Sequence, residues 1–131
     1  MTDLAFTDAA ELVELYRRRA ASPVDAVEAC LERIDAVDGV LNAYVTVDRE
    51  GALEAARHAA DAPVAGPLHG VPVGIKDLTE TAGLRTTYGS TIYADHVPDF
   101  DALVVERLRA AGEQATVIGE VQDGPHDVQI A

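Results

Sequence analysis

A lysine followed by an aspartate ends a short apolar run in the middle of the chain. Val71, Val73 and Ile75 alternate along this run, which predicts a buried strand that delivers Lys76 and Asp77 at its C-terminal end. Lys76 is the only lysine, whereas nine residues are arginine. A desolvated lysine can lose its proton near neutral pH and arginine cannot, so Lys76 is a candidate proton acceptor. An exposed ion pair or a loop contact is the alternative that the local pattern leaves open.

The neighbouring Asp77 complicates this chemistry. A carboxylate beside Lys76 favours the charged amine, unless the Asp77 side chain points elsewhere. The segment from 78 to 90 is rich in threonine and glycine, which is typical of an ordered loop. We therefore interpret Asp77 as the residue that orders this loop over the end of the strand.

The segment around this strand resembles the amidase signature family. The motifs that carry the resemblance are G-P-L-H-G-V-P-V-G-I-K-D at 66–77, T-A-G-L at 81–84 and T-T-Y-G-S at 86–90. The family consists of serine hydrolases that cleave amide bonds, and it includes the A subunit of the glutamine-dependent tRNA amidotransferase. By residue match, the resemblance implies that Lys76 is the catalytic lysine. In the family this lysine takes a proton through a bridging serine, which activates a second, nucleophilic serine.

Both catalytic serines of the family are missing from the expected context. The two serines of the chain, Ser22 and Ser90, lie outside any glycine-rich block of the kind that holds the family's serines. The resemblance runs from about 8 to 119 and gives way to a divergent tail at 120–131, and family proteins are several times longer. We therefore expect 1–131 to be a single incomplete amidase-like domain from a truncated or frame-disrupted gene, inactive alone. The resemblance implies no cofactor.

Three functions stay open on these residues. The first is an N-terminal piece of an amidase whose substrate is a small-molecule amide. The second is a non-catalytic partner that supplies Lys76 to another chain or regulates it by packing. The third is a component similar to the A subunit of the amidotransferase, whose tRNA contacts lie in other chains.

The charge and composition of the chain limit the kinds of partner that it can bind. The chain has 23 acidic and 10 basic residues, a net charge of −13, which opposes direct binding to nucleic acid or to an anionic membrane. No apolar run approaches the length of a membrane span, and no leader-like segment opens the chain. Cys30, the sole cysteine, excludes an internal disulfide, so we expect a reducing cytoplasm. If sheet neighbours are missing, the fragment should expose apolar surface and associate with itself or with another chain.

The remaining polar candidates have structural interpretations. Cys30 has the spacing of a packed helix residue. The histidines at 58, 69 and 96 have no neighbours at metal-ligand spacing, so we expect no metal site, and we interpret His69 as a hydrogen-bonding loop residue.

Periodicity predicts alternating helices and strands, an α/β fold in which N-terminal helices pack on a mixed, partly parallel sheet. Helices are predicted over 8–20 with Thr7 as the cap, over 23–38 between the cap Ser22 and the stop Gly39, over 49–60 after the cap Asp48, and over 102–111 between Asp101 and Gly112. Strands are predicted over 41–47, 71–75 and 115–118.

Overall fold

Helices and strands alternate along the chain, which confirms the predicted α/β class. The computed structural model describes residues 3–112 and 116–121. Its helices are α1 (Ala9–Arg17), α2 (Pro23–Leu41), α3 (Arg49–Asp61) and α4 (Leu103–Gly112), and its strands are β1 (Tyr44–Val47), β2 (Pro72–Lys76) and β3 (Thr116–Val121). Short 3-10 helices cover Leu4–Phe6 and Thr91–Tyr93. No helix in this described part has both the length and the apolar character needed to cross a membrane.

The three strands form one mixed sheet, as predicted. Their order is β1-β3-β2, with β2 parallel and β1 antiparallel to the central β3. Lys76 is in register with Val121, so the candidate lysine lies level with the end of β3. Among the described strands β2 is therefore an edge strand, and one of its sides has no sheet neighbour.

Two helices begin as the sequence predicts. Ser22 and Asp25 form a capping box at the start of α2, in which the Asp25 N–H donates to Ser22 Oγ (3.2 Å) and the Ser22 N–H donates to Asp25 Oδ2 (2.8 Å). Asp48 caps α3 by accepting a hydrogen bond from the Gly51 N–H (3.1 Å). These bonds satisfy N–H groups that have no partner within their own helix.

The predicted ends of the first helix are wrong. Asp8, not Thr7, is the cap, because its carboxylate accepts from the Glu11 N–H at 2.8 Å. The helix ends at Arg17 instead of Ala20, and Arg19 adopts a left-handed conformation with φ of 55°. The chain therefore turns sharply before α2 begins.

Gly39 does not stop the second helix. The helix continues to Leu41, and Asn42 ends it in a left-handed conformation with φ of 50°. The Asp38 carboxylate accepts hydrogen bonds from the N–H groups of Ala43 (2.7 Å) and Tyr44 (3.1 Å). This cap fixes the start of β1 at Tyr44, three residues later than predicted.

Asp101 does not cap the last helix either. The carbonyl of Ala102 accepts the first bond of α4, from the Val105 N–H at 2.8 Å. The Asp101 carboxylate instead accepts from the Ala82 N–H (2.8 Å) and from Arg109 Nε (2.9 Å). It therefore connects the loop after β2 to α4. Ala115, predicted to begin the third strand, and residues 122–131 of the predicted tail lie outside the described residues.

Apolar contacts between the helices and the sheet hold these elements together. One cluster joins α2 to α3 through Val27, Leu31, Ile34, Ala52 and Ala56. A second joins α1 to α2 and to the residue before β2 through Leu12, Val13, Tyr16, Ala26 and Val71. A third, Ile75 with Val105, anchors the C-terminal half of β2 on α4. Burial of such side chains is the main favourable term in folding.

Candidate functional site

The structure places Lys76 at the last position of β2 and exposes its side chain, which contradicts the predicted burial. Successive side chains of a strand point to opposite faces. Ile75, 5% exposed, packs against Val105, so Lys76 points away from that cluster. The apolar run misled the prediction because Val105 covers the face of β2 that holds Ile75, whereas Lys76 lies on the opposite face.

Asp77 is buried, 2% exposed, and accepts hydrogen bonds from the 87–89 turn. The Thr87 N–H donates to Asp77 Oδ1 at 2.6 Å, and the Thr87 hydroxyl donates to Asp77 Oδ2. A longer contact joins the Gly89 N–H to the same oxygen at 3.4 Å. Since its carboxylate is engaged with the turn, the interpretation that Asp77 orders the loop is confirmed.

The loop after β2 is well anchored, as predicted. Three threonine side chains in it are fully buried, at 0% exposure: Thr81, Thr86 and Thr87. The loop pairs with the chain that returns towards α4, through bonds from the Thr86 N–H to the His96 carbonyl (3.0 Å) and from the Gly83 N–H to the Pro98 carbonyl (3.0 Å). Lys76 therefore borders a rigid segment.

Arg85 ties this loop to β1, a role that no sequence signal indicated. Its guanidinium donates to the carbonyls of Val45 (2.7 Å) and Ala94 (2.9 Å). In return, the Thr46 hydroxyl donates to the Arg85 carbonyl at 3.3 Å. The two contacts with β1 join residues 39 and 40 positions apart in sequence, so only the folded chain brings them together.

An aromatic cluster of Tyr88, Tyr93 and His96 follows the same loop and was also missed. The Tyr88 ring stacks on His96 (5.8 Å between centroids) and meets Tyr93 edge to face (5.1 Å). Tyr88 has a left-handed backbone with φ of 53°, and its hydroxyl donates to Glu80 Oε1 at 2.9 Å. Partial burial raises the pKa of Tyr88, and the hydrogen bond with Glu80 is a second, smaller cause of the same shift.

The other candidates have structural roles. His69 is buried, donates from Nε2 to the Ala59 carbonyl (2.8 Å) and accepts the Ala65 N–H at Nδ1 (3.4 Å), as expected for a hydrogen-bonding loop residue. Cys30 is half-buried against the α2–α3 cluster, and burial raises the pKa of its thiol. No group of metal-ligating side chains occurs among the residues that the structure describes.

Both serines serve as helix caps in the structure. The Ser22 hydroxyl is committed to the capping box of α2. Ser90 caps the 3-10 helix Thr91–Tyr93 by accepting from the Ile92 N–H at 3.3 Å. The described residues thus present a lysine at the end of β2, and both of their serines act as helix caps.

The chain matches the family model described as Amidase over residues 25–122. It is 50% identical over 117 residues to the A subunit of the glutamyl-tRNA(Gln) amidotransferase of Salinispora tropica, a match that covers 86% of this chain and 24% of that protein. The match to the family model extends past Glu120, where the resemblance was expected to end.

Solved structures agree with these sequence matches. The native peptide amidase from Stenotrophomonas maltophilia superposes with a TM-score of 0.80 at 34% identity, over 89% of this chain and 25% of that one. An amidase family protein from Bacillus anthracis gives a TM-score of 0.80 at 26% identity, over 90% of this chain and 24% of that one. The chain therefore spans about a quarter of the length of the relatives that it matches.

Proposed function

Because the chain belongs to the amidase family, we propose that it supplies the catalytic lysine of an amide-hydrolysing site, with Lys76 as the proton acceptor. The position of Lys76 supports this role: it ends β2 directly before Asp77, whose carboxylate is anchored to the Thr87 turn. The turn fixes the backbone from which the amine projects. A fixed position is the first requirement of a general base.

Two serine hydroxyls must come from outside the region that this chain shares with the family. One serine passes a proton to the lysine, and the other attacks the amide carbonyl. This proton transfer is needed because an unassisted hydroxyl is a poor nucleophile. Ser22 and Ser90 are both engaged as helix caps. We infer that the 131-residue chain has no amidase activity alone and forms a single amidase-like domain only together with further polypeptide.

The exposed Lys76 side chain is explained by the same proposal. Lys76 must meet serines from other sequence, so its face of β2 has to stay accessible in this chain. The added polypeptide then covers this face of β2 and brings the serines to the amine. The expected compartment stays the reducing cytoplasm, in keeping with the unpaired Cys30.

A chimaera tests the proposal. Residues 25–122 of this chain replace the matching segment of the Stenotrophomonas maltophilia peptide amidase, and hydrolysis of a peptide amide is measured. We expect activity that Lys76→Ala and Lys76→Arg each abolish, because neither side chain can accept the proton at neutral pH. Arg57→Gln, at an exposed position of α3, is the matched control.

A folded chimaera that keeps its activity with Lys76→Ala contradicts the role of the lysine. Circular dichroism and the melting temperature of each variant separate this result from misfolding. Hydrolysis by the unmodified chain, dependent on Ser22 or Ser90, contradicts the proposed inactivity.

A role as the A subunit of an amidotransferase is the second candidate. It is favoured by the 50% identity to the Salinispora tropica protein over 86% of the chain. The same replacement made in that protein, assayed for glutamine-dependent amide transfer with its own partner chains, distinguishes the two. Activity in this context but not in the peptide amidase favours the amidotransferase.

A further inference from the structure

A cleft lies away from Lys76, where the ends of three helices meet. Its volume is about 850 Å³, and it is lined by the C-terminal end of α1, the N-terminal end of α2, the C-terminal end of α3 and the segment that follows α3. Lys76 and the loop after β2 do not line it. Pockets of about 300–1,000 Å³ hold small organic ligands in other proteins.

Opposite charges are balanced in this cleft, although the chain as a whole has a net charge of −13. Arg17 and Arg19 contribute two positive charges, and Asp25 and Asp61 contribute two negative ones. A ligand with only negative charge would be repelled by both aspartates, and a ligand with only positive charge would be repelled by both arginines. The cleft therefore suits a ligand that carries both charges.

Two of these four groups are already engaged. Arg17 forms an ion pair with Glu14 at 3.6 Å, and the Asp25 carboxylate accepts from Ser22. Within residues 3–112 and 116–121, the side chains of Arg19 and Asp61 form no hydrogen bond or ion pair. Their charges are thus available to a ligand.

Arg19 and Asp61 belong to different elements that line the cleft. Arg19 follows α1 and has a left-handed backbone conformation, with φ of 55°. Asp61 is the last residue of α3, and the partial negative charge of that helix end adds to its attraction for a cation. The lining also includes small aliphatic side chains: Ala20, Ala21, Ala60, Ala62, Pro63 and Val64.

We propose that this cleft binds a short peptide with free termini and small aliphatic side chains. The carboxylate pairs with Arg19 and the ammonium group with Asp61. A peptide suits a cleft of about 850 Å³ better than a single amino acid, because each further residue adds side-chain volume and separates the termini by about 3.3–3.6 Å. This proposal stands on the cleft alone and does not depend on the activity proposed for Lys76.

Trialanine is the probe, titrated into the full chain at low ionic strength and followed by amide chemical shifts. We expect saturable shifts at residues that line the cleft. Arg19→Gln and Asp61→Asn should each weaken binding about two- to fivefold, the range for exposed ion pairs. Arg18→Gln is the matched control, because Arg18 pairs with Glu14 (4.0 Å) and does not line the cleft.

Capped peptides assign each terminus to one of the two charged side chains. N-acetylation should weaken binding to the original chain and to Arg19→Gln, but not to Asp61→Asn. Amidation of the C-terminus should weaken binding to the original chain and to Asp61→Asn, but not to Arg19→Gln. The proposal is overturned if millimolar trialanine causes no saturable shifts at residues that line the cleft. It is also overturned if capping either terminus weakens binding equally in the original chain and in both variants.

Discussion

The Asp77 carboxylate and Thr87 are joined by two hydrogen bonds, one from the Thr87 N–H at 2.6 Å and one from its hydroxyl. Both residues are buried, at 2% and 0% exposure. This pair closes the loop after β2 onto the strand end and fixes the residue next to Lys76. Asp77, the residue next to the candidate base Lys76, is thus held in place by a residue ten positions further along the chain.

Asp77→Asn should destabilise the chain by about 1.5–3 kcal/mol, the range for hydrogen bonds to a charged group. The amide of the variant offers one acceptor oxygen and leaves one Thr87 donor without a partner. Urea unfolding measures the change, with Asp95→Asn as an exposed control. Equal unfolding free energies for the two variants contradict the role of the pair.

Gly119→Ala should prevent β1 from pairing with β3. A Cβ at this position lies 2.1 Å from the Thr46 carbonyl oxygen, which is backbone and cannot rotate away. We expect a loss of several kcal/mol, of the size seen for strongly disruptive substitutions (about 4–5 kcal/mol or more). Gly39→Ala is the control, since a Cβ there has no neighbour within 4 Å and alanine gains about 0.5–1 kcal/mol inside a helix. Melting temperatures that change in the same direction contradict this view.

Local chemistry predicted the elements that depend on neighbours in sequence. The Ser22-Pro23 start and the Asp48 cap follow from bonds within one turn, and the alternation before Lys76 follows from the strand period. The end of α2 could not be predicted, because Asp38 stops it by reaching forward to Tyr44 while Gly39 stays helical. The sequence thus offers two possible ends for this helix, at Gly39 and at Asn42, and only the folded chain shows which one is used.

The surroundings of Lys76 depend on long-range contacts that a single sequence does not reveal. The apolar run indicated a strand but not its place at the edge of the sheet. The links from Arg85 to β1 join residues 40 positions apart, and arginine alone carries no signal for such a bond. The motif resemblance singled out Lys76 as the candidate, whereas its exposure became evident only from the packing of the folded chain, which buries the neighbouring Ile75 instead.

Tyr16→Phe should leave the stability unchanged or raise it by up to about 1–3 kcal/mol, the cost of a buried polar group without a partner. The Tyr16 side chain is 7% exposed, and its hydroxyl has no hydrogen-bond partner among the described residues. Burial also raises the pKa of this phenol. Thermal unfolding compares the two chains, and a clear loss of stability in the phenylalanine variant indicates a hydrogen bond that the structure does not show.

Cys30 should react slowly with iodoacetamide in the folded chain. Burial, and secondarily the Asp3 carboxylate, raise the pKa of the thiol, so its thiolate is scarce at neutral pH. In the unfolded chain the thiol ionises near pH ~8.5, at lower pH than in the folded chain. The unfolded state therefore binds fewer protons above that pH, and the contribution of Cys30 to stability is lost as pH rises.

The alkylation rate measured from about pH 6 to 10, on either side of the ordinary thiol pKa, checks this prediction. The folded chain should show a midpoint above that of the same chain in urea, and Asp3→Asn should move the midpoint down. A folded midpoint at or below the urea value contradicts it.

Self-association should depend on the apolar side chains exposed between 92 and 104. Ile92 is 86% exposed, Leu103 61% and Phe100 54%, and large exposed apolar surfaces mark interaction sites. The net charge of −13 opposes association, and salt screens that repulsion. The mass measured by light scattering should therefore rise with concentration and with added sodium chloride.

Changing Ile92, Phe100 and Leu103 together to serine should restore a monomer at all salt concentrations. Val40→Ser is the control, because Val40 is 84% exposed but lies near the end of α2, outside this segment. A chain that stays monomeric at high salt, with a single sharp melt, contradicts the view that this surface needs further polypeptide to cover it. Association that the serine variant leaves unchanged instead places the interface elsewhere. The side of β2 that has no neighbour among the described strands is then the next surface to test.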